Sequence, residues 1–386
     1  MTKLYEMPNL ASKKLKNQVI YLKVYMKPKK KVKIMMKMNT KNLGIMALLA
    51  VLVINVVLIS GCTKKISPTE PEILVPEDSP QLPYRGFFMG VLPTTAHGQS
   101  FDDAYTQASR YSEFVPVWGR PTPFYNLADD LSGSWGQTFV KQLIREKGMF
   151  PIVHMSFIGP GLTLVTPPGM ENATLSDPAW REAYKQAALD IVKATQPRYL
   201  SVGNEVNRWY EKYGEDGPNG FKNYVSLYEE IYDEVKKISP ETKVFCIFAR
   251  EIVSENREAN LEVLCLFNPN KMDLLVFTSY PYTLGKTNPS MIPDDYYSKA
   301  SDYMSGKPFG FSEVAWASLD ALGGEQAQAD FIMQATTRLT RDRGINLHLF
   351  GWSWLHDLNE NDAVGLIKFN GTEKLGYAAW KNLSGK

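Results

Sequence analysis

The stretch RYLSVGNEVNRWY (198–210) runs from a short apolar segment directly into the pair Asn204-Glu205. A buried strand that delivers a carboxylate at its C-terminal end is what an alternating strand–helix barrel uses for chemistry. Seven further apolar runs flank it: GFFMGVL (86–92), FVPVW (114–118), MFPIVHM (149–155), KVFCIF (243–248), DLLVFTS (273–279), PFGFSE (308–313) and LHLFGW (347–352). Continuous apolar runs, in place of strict alternation, mark strands covered on both faces, as in a parallel sheet.

The stretches between the runs read as helices. Ser176-Asp177-Pro178 supplies an N-cap and a proline at the first helical position. Phe221, Tyr224, Val225, Tyr228, Ile231, Tyr232, Val235 and Ile238 keep a 3–4 spacing and so form one buried face. A helix from Gln326 to Arg343 stops at Gly344. Eight such units without a second composition block predict an α/β protein with a single (β/α)8 TIM barrel over residues 85–386. The competing fold, an open doubly wound sheet, normally carries a glycine-rich phosphate turn after its first strand. Here that turn is Gly90-Val-Leu-Pro-Thr-Thr, with no GxGxxG.

The barrel is preceded by a signal or anchor segment and a proline-rich linker. The 386 residues carry 43 basic and 41 acidic side chains, a formal charge of +2. Residues 1–61 hold twelve lysines and one acid, so they carry +11 and the remainder −9. An acidic body excludes nucleic acid as the expected partner, because phosphate binding needs a concentrated basic face. Leu43 to Ser60 is free of charge and follows the lysines, which suits a signal sequence or a membrane helix. Ile59-Ser60-Gly61-Cys62 resembles a lipobox, in which Cys62 is lipidated; an uncleaved anchor is the alternative. Both place the body outside the cytoplasm, anchored to the outer face of the cytoplasmic membrane or at the cell surface. Residues 63–84, with prolines at 68, 71, 76, 80 and 83, read as a stiff spacer after Cys62.

The strand tips carry the chemistry. The fourth run ends in Asn204-Glu205 and the seventh in Glu313, and strands 4 and 7 face each other across an eight-stranded barrel. Two convergent carboxylates are what glycoside hydrolysis needs: one protonates the leaving oxygen, and the other attacks the anomeric carbon or activates water. From strands 4 and 7 the pair is expected at about 5–5.5 Å, the separation of enzymes that retain configuration. Rival chemistries lack their residues. His97, His154, His348 and His356 are scattered, no HExxH occurs, and a GxSxG elbow is absent, so neither a metal nor another cofactor is expected.

With these motifs the chain resembles the retaining glycoside hydrolases of the (β/α)8 clan A. LSVGNEVNRWY, LLVFTSYPY and SEVAW are most similar to the endo-β-1,4-galactanase (arabinogalactanase) family. Ser279-Tyr280-Pro281-Tyr282 reorders that family's aromatic-proline motif, and Val314 replaces its usual threonine. The resemblance implies that Glu205 is the acid/base, that Glu313 is the nucleophile and that Asn204 binds the 2-hydroxyl of the reacting sugar. It implies a β-linked poly- or oligosaccharide substrate, endo-β-1,4-galactan among them.

Other tips fit a sugar cleft. Trp118, Trp209, Trp316, Trp352 and Trp354 lie at or just beyond strand ends, where flat rings can cover pyranose faces. Trp352 and Trp354 are two apart, so on an extended segment they share a face, and one is expected to floor a subsite. Tyr280, or alternatively Tyr282, is placed to donate to Glu313 and keep it ionised. Arg120 is placed to lower the pKa of Glu313, or else forms a structural ion pair. Glu205 is expected to need a raised pKa. His154 is read as a polar contact near the sugar, or as a structural histidine. Glu251 is expected in a helix-start ion pair with Arg250, and Asp357 to bind substrate or cap a turn. Cys246 and Cys265 read as buried free thiols, with a disulfide between them as the alternative. Residues 156–178 and the loop Asn207–Gly220 are expected to wall a cleft suited to internal cuts. The chain is expected to be a monomer. The second functional class is a non-catalytic carbohydrate-binding lipoprotein on a degenerate hydrolase barrel.

Overall fold

The computed structural model of the protein describes residues 73–118 and 123–386. The expectations for the basic extension, the signal or anchor segment, Cys62, the first part of the spacer and Arg120 lie outside the described residues.

Eight parallel staves form the barrel: β1 (Phe88–Val91), β2 (Phe114–Val117), β3 (Phe150–His154), β4 (Tyr199–Ser201), β5, β6 (Leu275–Ser279), β7 (Phe309–Val314) and β8 (Leu347–Trp352). β5 comes in two pieces, Lys243–Phe245 and Ile247–Ala249, with Cys246 between them. The first piece pairs with β4 and the second with β6, while β8 pairs back onto β1, so the nine segments close into a ring.

Outside the ring lie α1 (Phe101–Ser109), α2 (Phe124–Ser132), α3 (Pro178–Thr195), α4 (Asn207–Tyr213), α5 (Phe221–Ile238), α6 (Gly324–Thr336) and α7 (Leu375–Ser384). Asp177 caps α3 through the amides of Ala179 and Trp180, with Pro178 at the first position. α5 buries Phe221, Tyr224, Val225, Leu227, Tyr228, Ile231 and Val235, the face its spacing predicts. The outer layer departs from eight equal helices. After β5 and β6 the long helices give way to short 3-10 turns, the longest Glu262–Leu266, and a single α-helical turn, Ser298–Ser301. The helix expected from Gln326 to Arg343 stops at Thr336 and resumes as a 3-10 turn ending at Gly344.

Aromatic rings fill the lower half of the barrel. Phe150 lies edge-on to Phe88 at 5.1 Å and stacks on Tyr199 at 5.3 Å, and the Tyr199 hydroxyl meets His348 Nε2 at 2.8 Å. Each fully buried ring of this kind contributes roughly 1.5–3 kcal/mol. Gly90 is required here, since a Cβ would come within 2.2 Å of the Phe114 ring. Within the expected spacer, residues 73–84 touch the barrel unit: the Leu74 amide donates to the Ile238 carbonyl, and Arg145 ion-pairs with Glu77 and with Asp78.

One irregularity decides where chemistry can happen. Phe277 of β6 pairs with Phe311 of β7, but Thr278 pairs with Glu313, so Ser312 is an extra residue in β7. β8 sees the same slip, pairing Phe350 with Phe311 and Trp352 with Val314. A two-residue period would put Glu313 on the face of Phe309 and Phe311; the bulge reverses the alternation and re-aims it.

Candidate active site

Glu205 stands four residues beyond the end of β4, with φ +49°. A left-handed conformation at a non-glycine residue is strained, and such residues cluster at functional sites. Gly203 before it admits no side chain, because a Cβ would lie 2.3 Å from the Tyr224 hydroxyl. The half-buried Glu205 carboxylate accepts from Thr278 Oγ1 through Oε1 at 2.9 Å and from Arg208 through Oε2 at 2.5 Å. Arg208 was legible as a partner from its i, i+3 spacing. It belongs to α4, a helix in a stretch expected to be a loop.

Glu313 is half-buried. Its carboxyl is hydrogen-bonded by the hydroxyls of Tyr280 and Ser353 and feels the charge of Glu205. Burial pushes its pKa up to about 7, with the two hydroxyls opposing the rise and Glu205 adding to it. This corrects the expectation of a nucleophile held ionised by its surroundings: Tyr280 donates as expected, but burial is the larger effect. Tyr282 instead sets its ring edge-on to Tyr280 at 6.4 Å.

Three polar atoms at the same end of the barrel are buried without partners among the described residues: both ring nitrogens of His154 and Oδ1 of Asn204. His154 ends β3 and stacks on Trp118, ring centres 4.1 Å apart, and burial lowers its pKa to about 3. Buried polar atoms left without a partner are uncommon in native proteins and mark this end of the barrel as the candidate site.

The tryptophans divide. Trp316 and Trp352 are fully buried, and both pack on Phe331 of α6. Their indole N–H groups donate to the carbonyls of Leu322 and Val364. Neither is available to a ligand, which corrects their reading as binding residues. Trp209 is likewise core, donating to the Asn219 carbonyl. Trp354 is partly exposed, with its N–H held by Asp362, and Trp118 also keeps an exposed part.

The competing carboxylates are structural. Glu251 accepts from Tyr296, Ser279 and the Tyr280 amide, and burial raises its pKa to about 6. Arg250 ion-pairs with Glu258 at 2.8 Å, and Glu251 opens a two-residue strand, so the expected helix-start pair is absent. Asp357 is buried against Lys374 at 2.7 Å and accepts from the Gly365 amide, which leaves it no free edge for substrate. Cys246 and Cys265 are both free, and Cys265 is exposed where burial was expected. Among the described residues no cluster of His, Cys, Asp and Glu is placed to hold a metal.

A cleft of about 490 Å³ opens beside Glu205. One wall is a two-strand turn, Ile158–Gly159 against Thr163–Leu164, and the other is Asn204, Glu205 and α4. Tyr213 and Lys212 fasten the walls together by donating to carbonyls at the turn's tip.

Paired carboxylates at the tips of the fourth and seventh staves, above a closed parallel barrel, give the architecture that glycoside hydrolases use. Solved structures share this fold. A GH5_18 protein variant from Streptomyces cattleya in complex with Manβ1-4GlcNAc is 12% identical, with TM-score 0.52, covering 78% of this chain and 80% of that one. The β-glycosidase BGL167 is 13% identical, with TM-score 0.55, covering 79% and 97%. The exo-β-1,4-mannosidase Op5Man5 from Opitutaceae bacterium strain TAV5 is 16% identical, with TM-score 0.52, covering 79% and 62%. No family profile matches the sequence. No curated relative matches it either.

Proposed function

We propose that the protein is a retaining β-glycosidase acting by double displacement on a β-linked oligo- or polysaccharide. The observation that carries the reading is the pair Glu205 and Glu313, bracketed by Thr278 and near enough that the charge of Glu205 acts on Glu313. A Glu313 oxygen attacks the anomeric carbon while the glycosidic oxygen leaves with a proton from Glu205. Water, deprotonated by Glu205, then displaces Glu313 and returns the anomeric configuration. Asn204 accepts from the sugar's 2-hydroxyl, His154 meets a neighbouring hydroxyl, and Trp118 and Trp354 offer ring faces.

The galactanase-like motifs, together with neighbours described as a β-1,4-mannosidase and a Manβ1-4GlcNAc complex, favour a β-1,4-linked hexopyranoside. Galactan is the polymer that the motifs single out. The lipobox-like Ile59–Cys62 supports an extracytoplasmic protein held at the membrane by Cys62, and mass spectrometry of the N-terminal peptide tests that anchor.

The activity is tested by incubation with aryl β-glycosides of galactose, mannose, glucose and xylose, alongside galactan, mannan, xylan and glucan. Sustained aryl release is expected. Tight binding of sugar without release would instead identify a carbohydrate receptor.

A further inference from the structure

Arg208 and Lys212 lie one helical turn apart on α4, and both line the cleft beside Glu205. Residues at i and i+4 share a face, with Cβ atoms about 5–6 Å apart. Among the described residues that line this cleft Glu205 is the single acid. Arg208 uses one nitrogen on Glu205, and its side chain is 37% exposed. Among the described residues its other two nitrogens meet no acceptor. Lys212 gives two of its three protons to the carbonyls of Gly161 and Leu162, at 3.0 and 2.9 Å. It has no carboxylate partner among the described residues. The nearest acid on α4, Glu211, is occupied by Arg257 and the Asn260 amide.

Two cations against one acid, with donors to spare, do not suit a neutral sugar. Resting on the glycosidase reading, we propose that the cleft takes an anionic sugar, a uronate, on the leaving-group side of the scissile bond. Glu205 is the residue that protonates the leaving oxygen, and α4 continues directly from it, so its cations border the departing residue. A guanidinium fork matches a planar carboxylate in two-point contact, and the lysine adds a compact second charge. The bound carboxylate competes with Glu205 for Arg208. A uronate therefore loosens the Arg208–Glu205 pair as it binds and leaves Oε2 of Glu205 free to carry the proton. A neutral sugar has no group that does so.

The test uses thio-linked β-1,4 disaccharides, which the protein cannot cut, titrated calorimetrically against the intact protein. Three probes share one non-reducing sugar and end in glucuronic acid, in its carboxyl-reduced alcohol, or in glucose 6-sulfate. The expected result is that the acid binds about tenfold tighter than the alcohol, the worth of one charge-assisted contact. Lys212→Met should erase most of that ratio and Lys212→Arg should keep it, which separates charge from the lysine's hold on the turn. Equal binding of acid and alcohol, no binding of any probe, a ratio indifferent to Lys212→Met, or preference for the sulfate would each overturn the proposal. The oxygen-linked acid is assayed in parallel for cleavage. Selective binding without cleavage upholds the anionic site and rejects the glycosidase reading, so the two failures are distinct.

Discussion

Thr278 donates its hydroxyl to Glu205 at 2.9 Å while its backbone lies in register beside Glu313. One residue of β6 thus touches the side chain delivered by β4 and neighbours the one delivered by β7. The contact positions the acid and leaves the nucleophile's chemistry alone. Thr278→Val keeps the shape and removes the donor, so kcat on a poor leaving group should fall about tenfold with KM little changed. Equal losses on activated and unactivated leaving groups would contradict a role through Glu205.

Glu313 has to be ionised to attack, and burial puts its titration near neutrality, at about 7. Activity should therefore rise with pH through that region on the acid limb of kcat/KM. The Tyr280 hydroxyl bond lowers the pKa of Glu313, so removing it raises the value further. Tyr280→Phe should displace the acid limb to higher pH and cost about tenfold or more at pH 6. A pH–rate profile for both proteins checks this, and an unmoved limb counts against the contact.

Trp352 and Trp354 should behave as different kinds of residue. Trp352→Ala opens a cavity under α6 and should cost about 3–5 kcal/mol of stability, read by urea unfolding. Trp354→Ala should leave stability nearly intact and raise KM for oligosaccharides severalfold, through loss of a sugar-facing ring.

The Asp357–Lys374 pair is buried on both sides, with side-chain exposures of 5% and 2%. Lys374→Met strands the carboxylate and should cost about 3–5 kcal/mol at pH 8. The pKa of Asp357 is already raised to about 6, and losing the lysine raises it further, because the lysine charge lowers it. The stranded acid can take up a proton as pH falls, so the loss should shrink at pH 5. An equal loss at both pH values would mean that the penalty is packing rather than charge.

The barrel was legible because its staves are covered on both faces and so appear as unbroken apolar runs, each stopping where a carboxylate or turn begins. That property also hid the roles of Trp316 and Trp352. When both faces are apolar, alternation no longer tells inward from outward, and the Ser312 bulge resets the count at the strand that matters. The break at Cys246 was hidden for a related reason, since an apolar run gives no sign of where pairing passes from β4 to β6. Thr278 and Ser353 sit among apolar and aromatic neighbours, and nothing local announces that their hydroxyls reach across staves to the glutamates. Arg208 carried a readable signal, an i, i+3 partner of Glu205.

The two-glutamate scheme is tested most directly by trapping the intermediate. The protein is incubated with 2-deoxy-2-fluoro β-glycosyl fluorides of mannose, galactose and glucose, digested, and mapped by mass spectrometry. The scheme predicts one sugar per chain, attached to Glu313, and no label in Glu313→Ala. In Glu205→Ala, azide should return a glycosyl azide of retained configuration from an activated substrate. A label on Glu251 or Asp357, or a first-formed product of inverted configuration, would contradict it.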